Sequence, residues 1–568
     1  MEDLGKFVKK LNIGAHVQRS VTSARNQRRE QFDRVGYVLF TLPATMPALP
    51  EPRNWIRRQV QGDPPLSLTQ LDQTFRQIAE DPRTRGVILH LRGAAMPMAD
   101  LQSLRNSILR LREAGRRVIV YGQDFDTMMY YVASAADEIV MQPGANMMTT
   151  GMRMETLYLK DSLASIGVEF EAVAISPYKS AADQLTRNDI SPESREQLNW
   201  LLDSRFEQLI NGIAEGRGIS ADEARAFIDS APYTDHEAKE AGYVDSVLNE
   251  EGFAAYLEVD QKDIITYDEA EKRLFIPWRE PTEKHIAMIY IGGTIVNGES
   301  ERPPVDFPLP ILGEERAGDL SVVQRVRQLM GRDDIGAVVL YVDSPGGSAS
   351  ASEAMASALE ELAKKVPIVV YMNNVAASGG YYVSTPAKWI VAQPGTITGS
   401  IGVIGAKPTT QGVFEKLHAT RIEFTRGANA TFGSSMAPYT DEQREQAKKS
   451  IERIYDQFTG RVADARGMTQ EAVDAIGGGR VWTGAQALEH GLVDELGDLR
   501  TALNKARELA GLPENTPLAI GSAQKKAALA PQLAELEPAT AGLMYAYRGL
   551  QTVFNGRAMM LMPFIIDE

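Results

Sequence analysis

Ser378 stands in "NNVAASGGYY" (373–382), between two alanines and two glycines, with no histidine or acid in the stretch. A small Ala-Ala-Ser-Gly-Gly run lets backbone approach closely, and its glycines reach conformations closed to other residues. Placed between a strand and a helix, such a turn presents a serine hydroxyl where free N–H groups favour developing negative charge. The same serine would otherwise be an ordinary helix cap. A second turn, "VDSPGGSAS" (342–350), also follows a strand-like run. The N–H groups around Gly346 and Gly347 are suited to an oxyanion hole, although Pro-Gly-Gly is also a common tight turn.

A nucleophilic serine needs a base, and histidine is the first suspect because it titrates near neutrality. None of the six histidines is placed for the work. His16 lies in a basic leader, His90 in a strand and His285 at the end of a charged segment; His236, His418 and His490 fall in helical patterns away from both turns. The alternative is a lysine that stays neutral. Lys179, in "AISPYKSAADQL" (174–185), is the candidate; a lone lysine is ordinarily a solvated charge. An exposed lysine titrates near 10.4, so neutralising it at pH 7 costs roughly 4 to 5 kcal/mol. Burial lowers that value and makes the amine a base. Ser400, in "TGSIGV" (398–403), is a second hydroxyl able to orient the amine, or else a turn serine bonding its own backbone.

What joins these scattered residues is an internal repeat. "YYVASAADEIVMQPG" (130–144) shares Tyr-Tyr-Val, Ile-Val and Gln-Pro-Gly with "YYVSTPAKWIVAQPG" (381–395), an offset of 251. "GVILHL" (86–91) matches "GAVVLY" (336–341) at 250, and Thr234, Ala238, Gly242, Val244 and Asp245 recur as Thr483, Ala487, Gly491, Val493 and Asp494 at 249. The differences are reciprocal. The first copy reads "RGAAMPMAD" and "FDTMMYY" where the second has the Pro-Gly-Gly and Ser-Gly-Gly turns; the second reads "RGANATFGSSM" where the first has Lys179. A single site drawing on both copies explains both losses.

Each copy, residues 36–259 and 286–510, alternates β-branched runs with amphipathic helical patterns, which predicts parallel strands with crossover helices and an α/β fold. Residues 260–285, charged and carrying two prolines, are expected to link the copies. Residues 1–35 form a basic leader and 511–568 a loosely packed extension ending in the apolar "AMMLMPFII" (558–566). Both ends are read as packing on the body or on another subunit, with peripheral contact at a membrane surface as the alternative. No run of about 18 apolar residues is present. A net charge of −15 argues against nucleic acid as a partner, and the absence of cysteine excludes thiolate chemistry and disulfides. No cofactor or metal is expected.

"DSPGGS", "NNVAASGGYYVS", "TGSIGV" and "YKSA", in that combination, resemble the signal peptide peptidase A family of serine peptidases (peptidase family S49) in its long, duplicated form. The resemblance covers residues 36 to 505. It implies a ClpP/crotonase-type spiral domain in tandem, a Ser-Lys dyad with Ser378 as nucleophile and Lys179 as base, and oxyanion donors from Gly379 and the Gly346-Gly347 turn. It further implies a homotetramer acting on remnant signal peptides and other unfolded, hydrophobic peptides. Family members commonly carry an amino-terminal membrane anchor; none is read here, so the expectation is a membrane-associated or cytoplasmic enzyme of bacterial type. Strand-edge backbone near "YIGGTIVNG" (290–298) is expected to pair with substrate. A crotonase-like acyl-CoA enzyme would share the fold without serine or lysine, and a non-catalytic scaffold would keep only assembly.

Overall fold

Apolar β-branched runs such as "GVILHL" and "GAVVLY" become central parallel strands because both of their faces are covered. The structure, a computed structural model, describes residues 13–31, 35–51, 62–301, 315–519 and 559–561. These divide into two compact units, and the division does not follow the repeat: residues 154–205 of the first copy belong with 283–567, while 206–282 belong with 1–153. The helix Pro192–Arg217 therefore begins in one unit and ends in the other.

The first unit holds a six-stranded parallel sheet in the order 264–266, 36–42, 84–91, 117–122, 138–141, 246–247. One of its helices, Leu68–Glu80, starts at a Ser67–Gln70 capping box and buries Leu71, Phe75 and Ile78 in the core. Residues 260–285, read as a linker, contain a strand and a helix, and the division between the units falls among them, after Thr282. Ile264–Thr266 pair with Tyr37–Leu39 as the sheet's edge strand, and Tyr267–Arg273 form a helix. The two adjacent isoleucines were hidden among charges in the sequence. The described part of the leader, helix Ile13–Glu30, exchanges hydrogen bonds between Asn26 and Ile276; residues 1–12 lie outside the described residues.

The second unit contains the elements that frame the site. In chain order they are β1 (Glu169–Ala174), β2 (His285–Gly292), β3 (Thr294–Val296), β4 (Ile335–Ser344), β5 (Gly346–Ser348), α1 (Ala349–Ala363), β6 (Ile368–Ala377), α2 (Gly379–Tyr382), β7 (Ile397–Gly399), β8 (Ile404–Thr409) and β9 (Met559–Leu561). Strands β2, β4, β6 and β7 run parallel, with 518–519 beside β2 and 481–483 antiparallel to β7. Both units are thus α/β.

A second sheet of this unit runs 316–318, β3, β5, β9, β8, β1. Here β9, from the segment read as a loose extension, lies antiparallel to β5 with Gly346 opposite Leu561 and Gly347 opposite Met560. On its other side Met559 pairs with Ile404 of β8. In the stretch 290–298, expected to offer a strand edge, β3 is flanked by 316–318 and β5, while β2 has β4 along one side and 518–519 on the other only at Ile286 and Ala287.

Candidate active site

Ser378 forms the corner between β6 and the single turn of α2, with φ 54° and ψ −113°. A non-glycine residue at positive φ persists only when its surroundings hold it. Its N–H donates to the Gly399 carbonyl of β7 at 2.8 Å, and its carbonyl accepts from Tyr382 N at 2.8 Å. The glycines that follow are needed for contact: a Cβ on Gly379 would stand 3.2 Å from Gly346 Cα and 3.3 Å from Gly347 N, and one on Gly380 2.6 Å from the Ser344 carbonyl. The two glycine turns therefore lie against each other, which brings Gly346, Gly347 and Gly379 beside the serine.

Lys179 arrives from the other direction. Strand β1 pairs antiparallel with β8, Ala174 opposite Ile404, and Ile175 N continues to the Val403 carbonyl at 3.0 Å. The loop after β1 then runs past Ser400–Val403 and turns the lysine inward, where it is 1% exposed. Its Nζ lies 2.8 Å from Ser378 Oγ, 2.9 Å from Ser400 Oγ and 2.8 Å from the Ser400 carbonyl. Ser378 and Ser400 are fully buried. No carboxylate pairs with the amine among the described residues, and burial pushes it well below the ordinary lysine value. A neutral amine has two N–H donors and one lone pair. The Ser400 carbonyl can only accept, so one N–H is committed there and the lone pair is available to a hydroxyl proton.

All the residues singled out in the sequence except the histidines thus meet in one place, and within the second unit of one chain. Sequence reasoning missed the seat of the lysine. A Cβ on Gly479, whose φ is +95°, would fall 2.6 Å from both Cα and Cβ of Lys179, and one on Gly402 3.2 Å from its Cδ. Gly479 N donates to the Ile401 carbonyl at 2.7 Å, fixing this approach. Next to it, Arg480 lies over the Tyr178 ring at 4.0 Å, and Trp200 stacks between Tyr178 and Trp482. The run "GGG" at 477–479 was the available signal.

Known proteins resemble the chain in sequence over most of its length. The model of the family described as "Peptidase family S49" matches residues 110–263 and again 360–513. The chain is 31% identical over 460 residues to "Serine protease SPPA, chloroplastic" of Arabidopsis thaliana, covering 79% of this chain and 67% of that one. It is 30% identical to "Protease 4" of Haemophilus influenzae (80% and 75% covered) and 31% identical to "Protease 4" of Salmonella typhi (79% and 73%). Among solved structures, a point mutant of ClpP1 from Listeria monocytogenes matches with a TM-score of 0.24 at 15% identity, covering 38% of this chain and 94% of that chain. Two family matches, relatives aligned over most of their length and a buried serine beside a buried amine lead to one assignment: the chain is a serine peptidase and belongs to peptidase family S49.

Proposed function

We propose that this enzyme is a Ser-Lys endopeptidase that cleaves remnant signal peptides and other extended, hydrophobic peptides. The observation that carries the reading is the 2.8 Å separation of Lys179 Nζ and Ser378 Oγ, with the amine buried and unpaired with any acid among the described residues. Neutral Lys179 takes the proton of Ser378 as Oγ attacks the scissile carbonyl. Negative charge on the former carbonyl oxygen is met by N–H groups of Gly379 and the Gly346-Gly347 turn. Lys179 then passes its proton to the leaving amine, and water, deprotonated by the same lysine, releases the acyl group. Ser400 holds the amine through its carbonyl and hydroxyl, so it is an orienting group.

Substrate binding by strand addition is supported by β9. An extended segment fits between β5 and β8, beside the oxyanion turn, and gains main-chain hydrogen bonds there. The same reading takes each copy as a ClpP/crotonase-like spiral domain, with the two family matches spaced like the internal repeat. It also takes the assembly as a homotetramer, for which exposed Leu157, Ile166, Leu417, Ile422 and Phe424 on the second unit are candidate contact residues. No helix among the described residues is long and apolar enough to cross a membrane. The tail's Met559–Leu561 are packed in the sheet between β5 and β8, which favours packing over peripheral membrane contact at that end.

The test is hydrolysis of a synthetic signal-peptide fragment by wild type, Ser378→Ala and Lys179→Ala. Loss of cleavage in both variants, with fluorophosphonate labelling abolished in Ser378→Ala, supports the dyad. Wild-type rates in Lys179→Ala would eliminate it.

A further inference from the structure

Strands β4 and β6 pair residue for residue from Val338–Ile368 to Val342–Met372, and then the register breaks: the next pair is Ser344–Ala376. One residue of β4, Asp343, therefore faces three of β6, Asn373, Asn374 and Val375. Its carboxylate is bonded to all three. Oδ1 accepts from Val375 N at 3.1 Å, and Oδ2 from Asn373 Nδ2 at 3.0 Å and Asn374 Nδ2 at 3.4 Å. A bulge re-aims the strand beyond it. On its other side β6 pairs with residues 389–392 before the break and with β7 after it, Val375–Ile397 through Ala377–Gly399, and the next residue is Ser378.

The main chain of Asp343 is fixed in turn. Its carbonyl accepts from Gly293 N at 2.9 Å, Ser344 Oγ donates to the Gly293 carbonyl at 2.6 Å, and Gly346 N donates to Ser344 Oγ at 3.2 Å. The aspartate thus ties the strand that ends in the nucleophile to the strand that leads into the oxyanion turn. The first copy lacks the carboxylate: its corresponding strands pair through Leu91–Gly122, where the ladder ends, and the position matching Asp343 at the repeat offset of 250 is Gly93. It also has no serine to aim, reading "FDTMMYY" where the second copy has the Ser-Gly-Gly turn.

We propose that Asp343 is a positioning residue for catalysis: its ionised carboxylate holds the three-residue bulge in β6 that points Ser378 at Lys179 and the Gly346-Gly347 turn.

Burial pushes the Asp343 carboxyl up to about 6, opposed by its three hydrogen bonds, and Glu315 adds to the rise. Glu315 is itself bonded to the Tyr290 hydroxyl at 2.9 Å, and the Tyr371 hydroxyl faces Asn373 at 3.2 Å. Among the described residues no basic side chain pairs with Asp343. A carboxyl with a raised native value stabilises the fold below its unfolded value, and that contribution is lost as pH rises through about 6. At neutral pH the fold carries a charge it disfavours, consistent with a catalytic use of that charge.

Asp343→Asn tests this, because it resembles the protonated form. Relative to wild type on a peptide substrate, kcat at pH 8 should fall about 10- to 100-fold, as expected of a small misplacement, with KM little changed. The ratio of wild-type to variant kcat should shrink as pH drops through about 6, since wild type then protonates as well. Titration of Lys179 cancels in that ratio. The thermal midpoint at pH 8 should not fall. Wild-type kcat in the variant, a ratio constant from pH 5 to 8, or a loss that tracks a lowered midpoint would each overturn the proposal. If Asp343→Asn does not fold, Asn373→Ala and Asn374→Ala remove one donor each and leave the carboxylate; lowered kcat at constant KM supports the proposal and unchanged kcat overturns it. The proposal rests on the dyad reading, which fails separately, through wild-type rates in Lys179→Ala.

Discussion

Lys179 Nζ and Ser378 Oγ are 2.8 Å apart although 199 residues separate them in the chain. The chain between them includes the helix Pro192–Arg217, which ends in the first unit, as well as the Gly346-Gly347 turn that comes back to the site. Replacing either residue by alanine is expected to lower kcat for peptide hydrolysis by about 10³-fold or more, because a nucleophile and its base act as a unit. Steady-state rates on a fluorogenic peptide measure it, and the double variant should be no worse than either single one.

The buried amine also sets a pH dependence. Burial lowers the Lys179 amine in the fold relative to the unfolded chain, so the unfolded state binds more protons over the interval between the lowered native value and 10.5. Stability should therefore rise with pH across that interval. Activity should rise with pH through the native value and level off well below pH 10. Lys179→Met, which removes the amine and keeps the volume, should raise the thermal midpoint at neutral pH while abolishing hydrolysis; a lowered midpoint would mean the lysine is charged in the fold.

Ser400 contributes a hydroxyl 2.9 Å from the amine as well as a carbonyl. Ser400→Ala removes only the hydroxyl, a hydrogen bond worth about 1 to 2 kcal/mol. A fall in kcat of about 5- to 30-fold is expected, far short of the loss in Lys179→Ala. Parallel pH–rate profiles of the two proteins show whether the amine's titration moves with it.

Gly479→Ala should be more damaging than its size suggests. The new Cβ would meet Lys179 at 2.6 Å, at a φ of +95° that alanine resists. The lysine backbone must shift, so hydrolysis should drop at least tenfold with a destabilisation of about 1 to 3 kcal/mol. Chemical denaturation and kcat/KM together check both parts.

The parts of the site readable in the sequence were those that the repeat made visible by contrast. Ser378 and the Gly346-Gly347 turn stood out because the first copy lacks them, and Lys179 because the second does. Gly479 did not, since a glycine that admits another residue's backbone has no chemistry of its own to read. Asp343 was hidden for a different reason: its role comes from a register break between β4 and β6, and strand pairing is not written in either strand alone. The two α/β units followed from alternation of strands and helices. Their boundary did not, because residues 154–205 pack through β1, whose pairing with β8 joins positions more than 200 residues apart.

Strand β9 has one more consequence. With Met559–Leu561 seated between β5 and β8, the strand-addition reading has an incoming peptide displace the chain's own tail by strand exchange. A tethered competitor acts at an effective concentration that dilution of the enzyme cannot lower. Truncation after Arg557 should accordingly lower KM for short peptides and leave kcat nearly unchanged, and a synthetic peptide of residues 558–566 added back should restore the difference. An enzyme guarded in this way discriminates by length and extension, since only a chain able to lie flat along two strands can take the tail's place.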